Sequence, residues 1–371
     1  MKHVSIAVTN DLISDQRVDK VCNTLTKLGF YVSLTGRKLT SSPTLDSRPY
    51  HCHRMWLVNV KGPFFYAEFN IRLFIRLLFT KYDLLIANDL DTLPACRLVS
   101  ILKRIPIVYD SHEFYTETPE LISRPMIRAV WLRIEKMIFP HLKWVFTVNE
   151  SIALAYEKRY GVKVRIVKNM PRFRPPADPI THREIGLPSE LPIVLLQGAG
   201  INIERGAEEL VSAMQYINCA QLLIIGNGDV VEKLKSMREE MGLQSKVTIF
   251  PRTPYERLRQ ITATAIIGIT IDKDTNPNYR FSLPNKLFDY IQAGTPVLAS
   301  RLPEVEKVVA EYNVGGFIES HDPKHIADRI TAMINDKAQL AIWKNNCLIA
   351  AETLNWEAQE LELIKVYEQF I

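Results

Sequence analysis

Short apolar runs alternate with stretches of helical periodicity along almost the whole chain, and this alternation restricts the fold more than any other feature. In the first half, apolar runs fall at 3–9, 31–36, 82–88, 105–111, 144–149 and 164–168. Between the first two, Val18, Val21, Cys22, Leu25 and Leu28 recur at the spacing of one helix face. Strands that are apolar on both faces and separated by helices indicate a parallel sheet covered on both sides. Residues 171–192 then bring Pro171, Pro175, Pro176, Pro179, Pro188 and Pro192, a density that favours a linker. The alternation restarts beyond it, with runs at 193–197, 221–225, 247–250, 265–271, 296–300 and 316–318. The reading is therefore two α/β domains, 1–170 and 193–353, joined by the 171–192 linker. A closing helix, 354–371, is free to pack on either domain and is expected to return to the first.

The 371 residues suit two domains, and 47% hydrophobic with 23% charged residues suits a packed globular protein. A net charge of +5 with a pI near 8.8 is mild. It fits anionic small molecules or an anionic membrane surface, and lacks the basic clustering expected for nucleic acid. Cys22, Cys52, Cys96, Cys219 and Cys347 are scattered without ligand spacing, which points to reduced thiols in the cytoplasm. The first residues enter a strand directly, so no signal peptide is expected, and no apolar run is long enough to span a bilayer.

Three turns of the second domain carry the chemistry. Open parallel sheets collect ligands where strand ends lead into helix N-termini, whose unpaired N–H groups favour phosphate. The first turn is 197–206, where Gly198 allows close approach, Asn202 is polar and Arg205 offers a forked donor for phosphate. A flexible turn with an exposed arginine reads as well from these residues alone. The second, Gly226-Asn227-Gly228-Asp229, lacks the full spacing of a dinucleotide fingerprint. The third, 282–297, places Pro284 at a helix start and Gly294 at its stop. Lys286 then adds positive charge to an end already positive, a cost that an anion would relieve. Asp289 lies at i+3 from Lys286, giving a cation for phosphate and a carboxylate for ribose hydroxyls on one face, or else an ordinary surface ion pair.

The 282–297 segment resembles the donor-binding signature of the retaining group 1 glycosyltransferases (family 4), in the variant reading PNKLFEY. The 198–206 turn is similar to that family's diphosphate loop, 247–254 to its base-holding strand, and Asn355-Trp356-Glu357 to its closing helix. The resemblance implies a GT-B fold, with two Rossmann-like doubly wound domains facing a central cleft. It implies that Arg205 and Lys286 neutralise the donor diphosphate and that Asp289 holds the ribose. Gly198, Asn202, Gly226, Leu287 and the backbone around Arg252 would complete the nucleotide-sugar site.

In the first domain, His112 matches the family's active-site histidine, with Glu113 beside it. Asn88 and Asp89 end the neighbouring strand, and Asn10, Asp15 and Arg17 follow the first strand, where relatives contact acceptors. Two positions depart from the family. Phe281 stands where relatives carry a glutamate, and the arginine usual early in the diphosphate loop falls near Ala199 or Gly200. The family's glycine-rich loop after the first strand is replaced by Asn10-Asp11-Leu12-Ile13-Ser14.

The expected activity is retaining transfer of a sugar from a nucleotide-sugar to a saccharide or lipid-linked saccharide acceptor, in bacterial cell-surface polysaccharide synthesis. Asp89-Leu90-Asp91 and Asp272-Lys273-Asp274 imitate the DxD metal motif of GT-A enzymes, but cationic side chains take that part in GT-B, and no metal or cofactor is expected. The alternatives are a GT-B epimerase and a non-catalytic nucleotide-sugar-binding protein, the latter motivated by Phe281. Residues 124–143 and 71–81 mix apolar and basic side chains at helical spacing. They read either as core-packed helices or as peripheral contacts with the inner face of the cytoplasmic membrane.

Overall fold

The computed structural model describes residues 1–371 except Ser14 and Ser189. The chain divides into two compact units, Met1–Asn169 with Gln359–Ile371, and Met170–Ala358.

The first unit runs β1 (His3–Ala7), α1 (Gln16–Lys27), β2 (Tyr31–Lys38), β3 (His51–Trp56), α2 (Gly62–Phe79), β4 (Leu84–Asn88), α3 (Leu93–Lys103) and β5 (Ile107–Ser111). It continues through α4 (Pro119–Ile122), α5 (Pro125–Ile138), β6 (Trp144–Thr147), α6 (Glu150–Tyr160) and β7 (Val164–Ile166). Its strands form one parallel sheet in the order β3-β2-β1-β4-β5-β6-β7. β3 has no counterpart in the sequence reading. It is an edge strand whose residues, His-Cys-His-Arg-Met-Trp, are mostly solvent-facing, so it lacks the apolar run that betrays an inner strand. The 10–14 loop includes Ser14, which lies outside the described residues.

The second unit runs α7 (His182–Ile185), β8 (Ile193–Gly198), α8 (Ala207–Ala213), β9 (Gln221–Gly226), α9 (Val231–Glu240), β10 (Val247–Phe250), α10 (Tyr255–Thr264) and β11 (Ile267–Thr270). After these come α11 (Pro277–Arg280), α12 (Asn285–Gln292), β12 (Val297–Ser300), α13 (Pro303–Tyr312), β13 (Gly315–Ile318), α14 (Pro323–Asn335) and α15 (Lys337–Ala351). Its sheet is also parallel, in the order β10-β9-β8-β11-β12-β13. Both faces are buried. Along β8, Val194 and Leu196 enter one core, while Ile193 and Leu195 enter the other.

Residues 171–192 are not a free linker. They belong to the second unit, where Thr181 and Glu184 form a capping box on α7. Ile185 is buried, Ile180 and Leu187 pack beside it, and Ile180 exchanges hydrogen bonds of 3.0 Å with Thr264 Oγ1. The apolar residues between the prolines anchor this segment. The last helix, α16 (Trp356–Tyr367), starts in the second unit, where Trp356 N donates to Pro171 O at 2.8 Å. It ends in the first unit, where Gln359 accepts from Lys168 N at 3.0 Å and Phe370 packs edge-on to Trp144.

Each strand order reverses direction once, between β1 and β4 and between β8 and β11. At such a switch the loops leaving the two strands diverge to opposite faces and open a crevice at the carboxyl edge of the sheet. In the second unit, Tyr290 of α12 braces this edge. Its hydroxyl accepts from Gln197 N at 3.1 Å and lies 3.0 Å from Leu195 O, and a Cβ on Gly268 would press on its ring at 2.4 Å. Tyr290→Phe strands the buried Gln197 N–H, so we expect a loss of about 1–2 kcal/mol of stability in urea denaturation. A midpoint unchanged from wild type would show that this hydroxyl does not hold the edge.

Candidate functional site

In the second unit the loop after β8 is held from below by backbone. Gly198 and Gly226 face each other in register, and a Cβ on Gly226 would lie 1.8 Å from Gly198 O. A Cβ on Gly228 would lie 2.0 Å from Ile201 O. Gly226, read from sequence as making room for a ligand, therefore makes room for another strand end. Gly198 is different: a Cβ there meets nothing nearer than Gly200 N at 3.9 Å. Asn202 ties the loop to its neighbour, its Oδ1 accepting from Asp229 N at 3.3 Å. Gly206 then turns into α8 with φ +75°, and a Cβ there would lie 2.4 Å from Ile271 O, so only glycine fits.

This loop delivers Arg205, and the first turn of α12 delivers Lys286. The two charged tips converge on one carboxylate. Arg205 Nη1 lies 3.0 Å from Asp272 Oδ2, and Lys286 Nζ lies 3.3 Å from Asp272 Oδ1. Asp272 follows β11 and is 1% exposed. Arg205 also stacks over the Tyr279 ring at 4.7 Å. Burial lowers the Lys286 pKa, and Asp272 opposes that shift. Asp272 was read from sequence only as part of a decoy DxD motif. It is the residue that gathers the two cations, while Lys273 pairs with Glu209 and Asp274 with Arg280.

The remaining donor-side residues separate. Asp289 has Gln197 Nε2 at 3.5 Å and Tyr255 Oη at 3.4 Å. Together with Thr262, Leu258 and Arg259 they line a shallow hollow between α10 and α12. The Leu287 side chain is fully buried in the core beside Phe288, so its expected part in ligand binding is corrected to packing. Arg252 is exposed beyond the end of β10.

In the first unit, the corresponding edge gathers His112. Its N–H donates to Asp89 Oδ1 at 2.8 Å, and its Nε2 lies 3.1 Å from Asn88 Oδ1 and 3.5 Å from Asp110 Oδ2. Asp89 sits at φ +58°, a left-handed turn that aims its carboxylate back at the His112 amide. Asn88 is itself anchored by donating to Ala7 O at 3.0 Å. Arg17 grips Asp110 with two bonds, at 2.7 and 3.1 Å, and donates to Val167 O at 2.6 Å. Only 2% of Arg17 is exposed, so its expected acceptor contact is corrected: its guanidinium is spent inside the unit. Asp15 caps α1 through Val18 N and accepts from Asn10 Nδ2 at 2.8 Å, so these two shape the loop after β1. Glu113 is half-buried, its carbonyl accepting from Ser111 Oγ and Tyr115 N.

Charges in this cluster are coupled. Burial pushes the Asp110 carboxyl up, but Arg17 and then His112 outweigh it and hold Asp110 well below the usual carboxylate range. Burial also opposes charge on His112, yet Asp89 and Asp110 raise it to about 9. Asp91 moves the other way, pushed up to about 7 by burial and then by Asp89, while its Oδ2 accepts from Thr9 at 2.6 Å. Among the described residues no group of three His, Cys, Asp or Glu side chains is arranged to hold a metal ion.

Both halves of the chain match known families. Residues 179–347 match the model for Glycosyl transferases group 1, and residues 15–170 match that for Glycosyltransferase Family 4. Two glycosyltransferase family models, one over each half, thus account for most of the chain. D-inositol 3-phosphate glycosyltransferase of Xylanimonas cellulosilytica is 22% identical over 191 residues, covering 50% of this chain and 44% of that protein. The match thus spans about half the length of these curated relatives. Sucrose-phosphate synthase of Thermosynechococcus elongatus shares the fold with a TM-score of 0.80 at 20% identity, covering 100% of this chain and 99% of that one. Anabaena HepE, solved in complex with UDP-glucose, aligns over 100% of both chains with a TM-score of 0.76 at 13% identity. The chain therefore has the GT-B fold, with two Rossmann-like domains.

Two residues missed from sequence, Asp110 and Asp272, share one signal: a lone acid at the carboxyl end of an apolar strand. Asp272→Asn leaves two cations facing each other without a counter-charge. We expect it to cost about 2–3 kcal/mol in thermal unfolding, below the full cost of a broken buried pair because Arg205 is partly exposed. Added pyrophosphate should restore more stability to this variant than to wild type, and equal gains would refute a shared anion site. A second outcome concerns pH. The folded-state pKa of His112 is raised, so its stabilisation is present below about 6.5 and lost as pH rises through about 9. The stability gap between wild type and His112→Gln should shrink over that interval; a constant gap would remove the charge from the account.

Proposed function

We propose that this glycosyltransferase transfers a sugar from a nucleotide-sugar donor to an acceptor hydroxyl with retention of anomeric configuration. The observation that carries the reading is the convergence of Arg205 and Lys286 at the switch point of the second sheet. One carboxylate between two cations leaves an excess positive charge in a partly desolvated crevice, which suits a diphosphate. Each charge-assisted contact to phosphate oxygen contributes roughly 1.5–3 kcal/mol. The UDP-glucose bound to HepE supports the same donor class.

In the proposed reaction the bond between the anomeric carbon and the diphosphate oxygen breaks, and its electron pair stays on that oxygen. Arg205 and Lys286 stabilise the charge that develops there, more strongly in the transition state than in the ground state. The acceptor hydroxyl attacks the anomeric carbon on the same face and passes its proton to the departing phosphate oxygen. Asp289, in its hollow, would take ribose hydroxyls, with Tyr255 and Gln197 fixing its orientation. Cationic side chains replace a metal ion in this scheme. The names of the curated relatives support transfer to an alcohol. The cellular setting we propose is cytoplasmic synthesis of a bacterial cell-surface polysaccharide on a saccharide or lipid-linked saccharide.

Arg205→Ala and Lys286→Ala should each lower kcat/KM by about one to two orders of magnitude, the kinetic equivalent of losing one such contact. The rate should be indifferent to EDTA. Near-normal turnover in both variants would end the reading, and conversion of donor without acceptor would mark an epimerase.

A further inference from the structure

Of the chain's exposed large hydrophobic residues, an unusual share lies between Trp56 and Leu102 of the first unit. The centre of that region is α2. Phe65, Phe69, Leu73 and Leu77 form its buried stripe. A second apolar stripe runs along the opposite side: Phe64, Ile71, Ile75 and Phe79 are 75%, 60%, 50% and 83% exposed. At 100° per residue these four fall within about 80° of arc. Glu68, 15% exposed, shares that arc between Phe64 and Ile71, so the outward apolar face is continuous from Ile71 to Phe79. A surface helix of a globular protein carries polar residues there, and an all-round apolar helix is normally buried.

The stripe is continued by a neighbour. α3 packs against α2, and Lys103 Nζ ties their ends by donating to Leu77 O at 2.9 Å and Thr80 O at 2.7 Å. On α3, Leu98 and Leu102 are 54% and 62% exposed. Basic side chains flank this apolar strip. Lys61, Arg72, Arg76 and Lys81 lie on or beside α2, with Lys103 and Arg104 at the end of α3. The single acid on α2, Glu68, is committed to the Val58 and Asn59 amides and to Arg72. Arg72 also lies 6.0 Å from the ring of the 60%-exposed Trp56 on β3.

We propose that the outward face of α2 and α3 docks on an anionic lipid bilayer. Apolar side chains would enter the headgroup–acyl boundary while the surrounding bases meet phosphate headgroups. Charge complementarity selects this occupant over a second copy of the chain, because a symmetric dimer would set the same bases against one another. Sequence periodicity had pointed equally to α5. That helix also exposes Met126, Val130 and Met137, but it buries Trp131 and a fully enclosed Glu135. The docking requires no turnover, so it stands apart from the proposed reaction.

Flotation of the full chain, without donor or acceptor, tests the proposal. The protein should rise with phosphatidylglycerol-containing vesicles, remain below with pure phosphatidylcholine, and detach as salt is raised. The double variant Ile71→Glu with Ile75→Glu should lower the vesicle-bound fraction by at least about tenfold. Its circular dichroism and melting temperature should match wild type, since both side chains face solvent. Ile342→Glu with Ile349→Glu, on exposed positions of α15, serves as the control and should float normally. Failure of wild type to float, or equal flotation of the α2 variant, would overturn the proposal. So would concentration-dependent dimerisation in sedimentation that the α2 variant abolishes.

Discussion

All thirteen strands of the two described sheets run parallel to their neighbours, and the position of every polar cluster follows from that constraint. A parallel sheet needs a crossover for each strand pair, a helix in all but the β2–β3 connection of the first sheet. These helices bury the inner strands on both faces and leave the strand ends for polar groups. Where the winding reverses, the crossovers leave on opposite faces and the carboxyl edge stays open. The second unit puts Arg205, Lys286 and Asp272 at such a point, and the first puts His112, Asp89 and Asn88 at its own.

The two units solve the same electrostatic problem in the same way. Each carries a buried aspartate at the carboxyl end of a strand beside the switch, and each aspartate bridges two basic groups. Asp110 lies between Arg17 and His112, and Asp272 between Arg205 and Lys286. A lone buried carboxylate would be costly, as would two adjacent unpaired cations. The arrangement makes each affordable and also fixes the geometry of the tips. In the first unit Arg17 faces inward, bound to Asp110 and to Val167 O, while the His112 side chain stays 19% exposed. In the second unit Arg205 and Lys286 retain partial exposure, which suits an anion arriving from solvent.

Glycine is used here for the chain as much as for any ligand. Gly226 and Gly228 sit where a Cβ would enter a neighbouring carbonyl, so the loop after β8 is stacked on the turn after β9. Rigidity of that loop is what allows Arg205 to be aimed, because a mobile arginine would lose conformational entropy on each binding event. The outer surface of α2 shows the opposite economy. Its exposed apolar stripe contributes nothing to the core already filled by Phe65, Phe69, Leu73 and Leu77.

The sequence by itself determined the α/β class and the two doubly wound sheets, and it singled out Arg205 and Lys286, because inner parallel strands are continuous apolar runs and a lysine at a helix start is conspicuous. It did not reveal β3, whose half-solvated edge has no such run. Nor did it separate Asp289 from Lys286, since i, i+3 spacing fixes neighbouring positions on a helix but not the partner each side chain finds. Only tertiary structure decided that Arg17 is an internal counter-ion, that Leu287 packs in the core, and that Asp272 gathers two cations. Those outcomes depend on which strand ends become neighbours, and strand order is set by crossover packing across long stretches of chain, beyond what local pattern encodes.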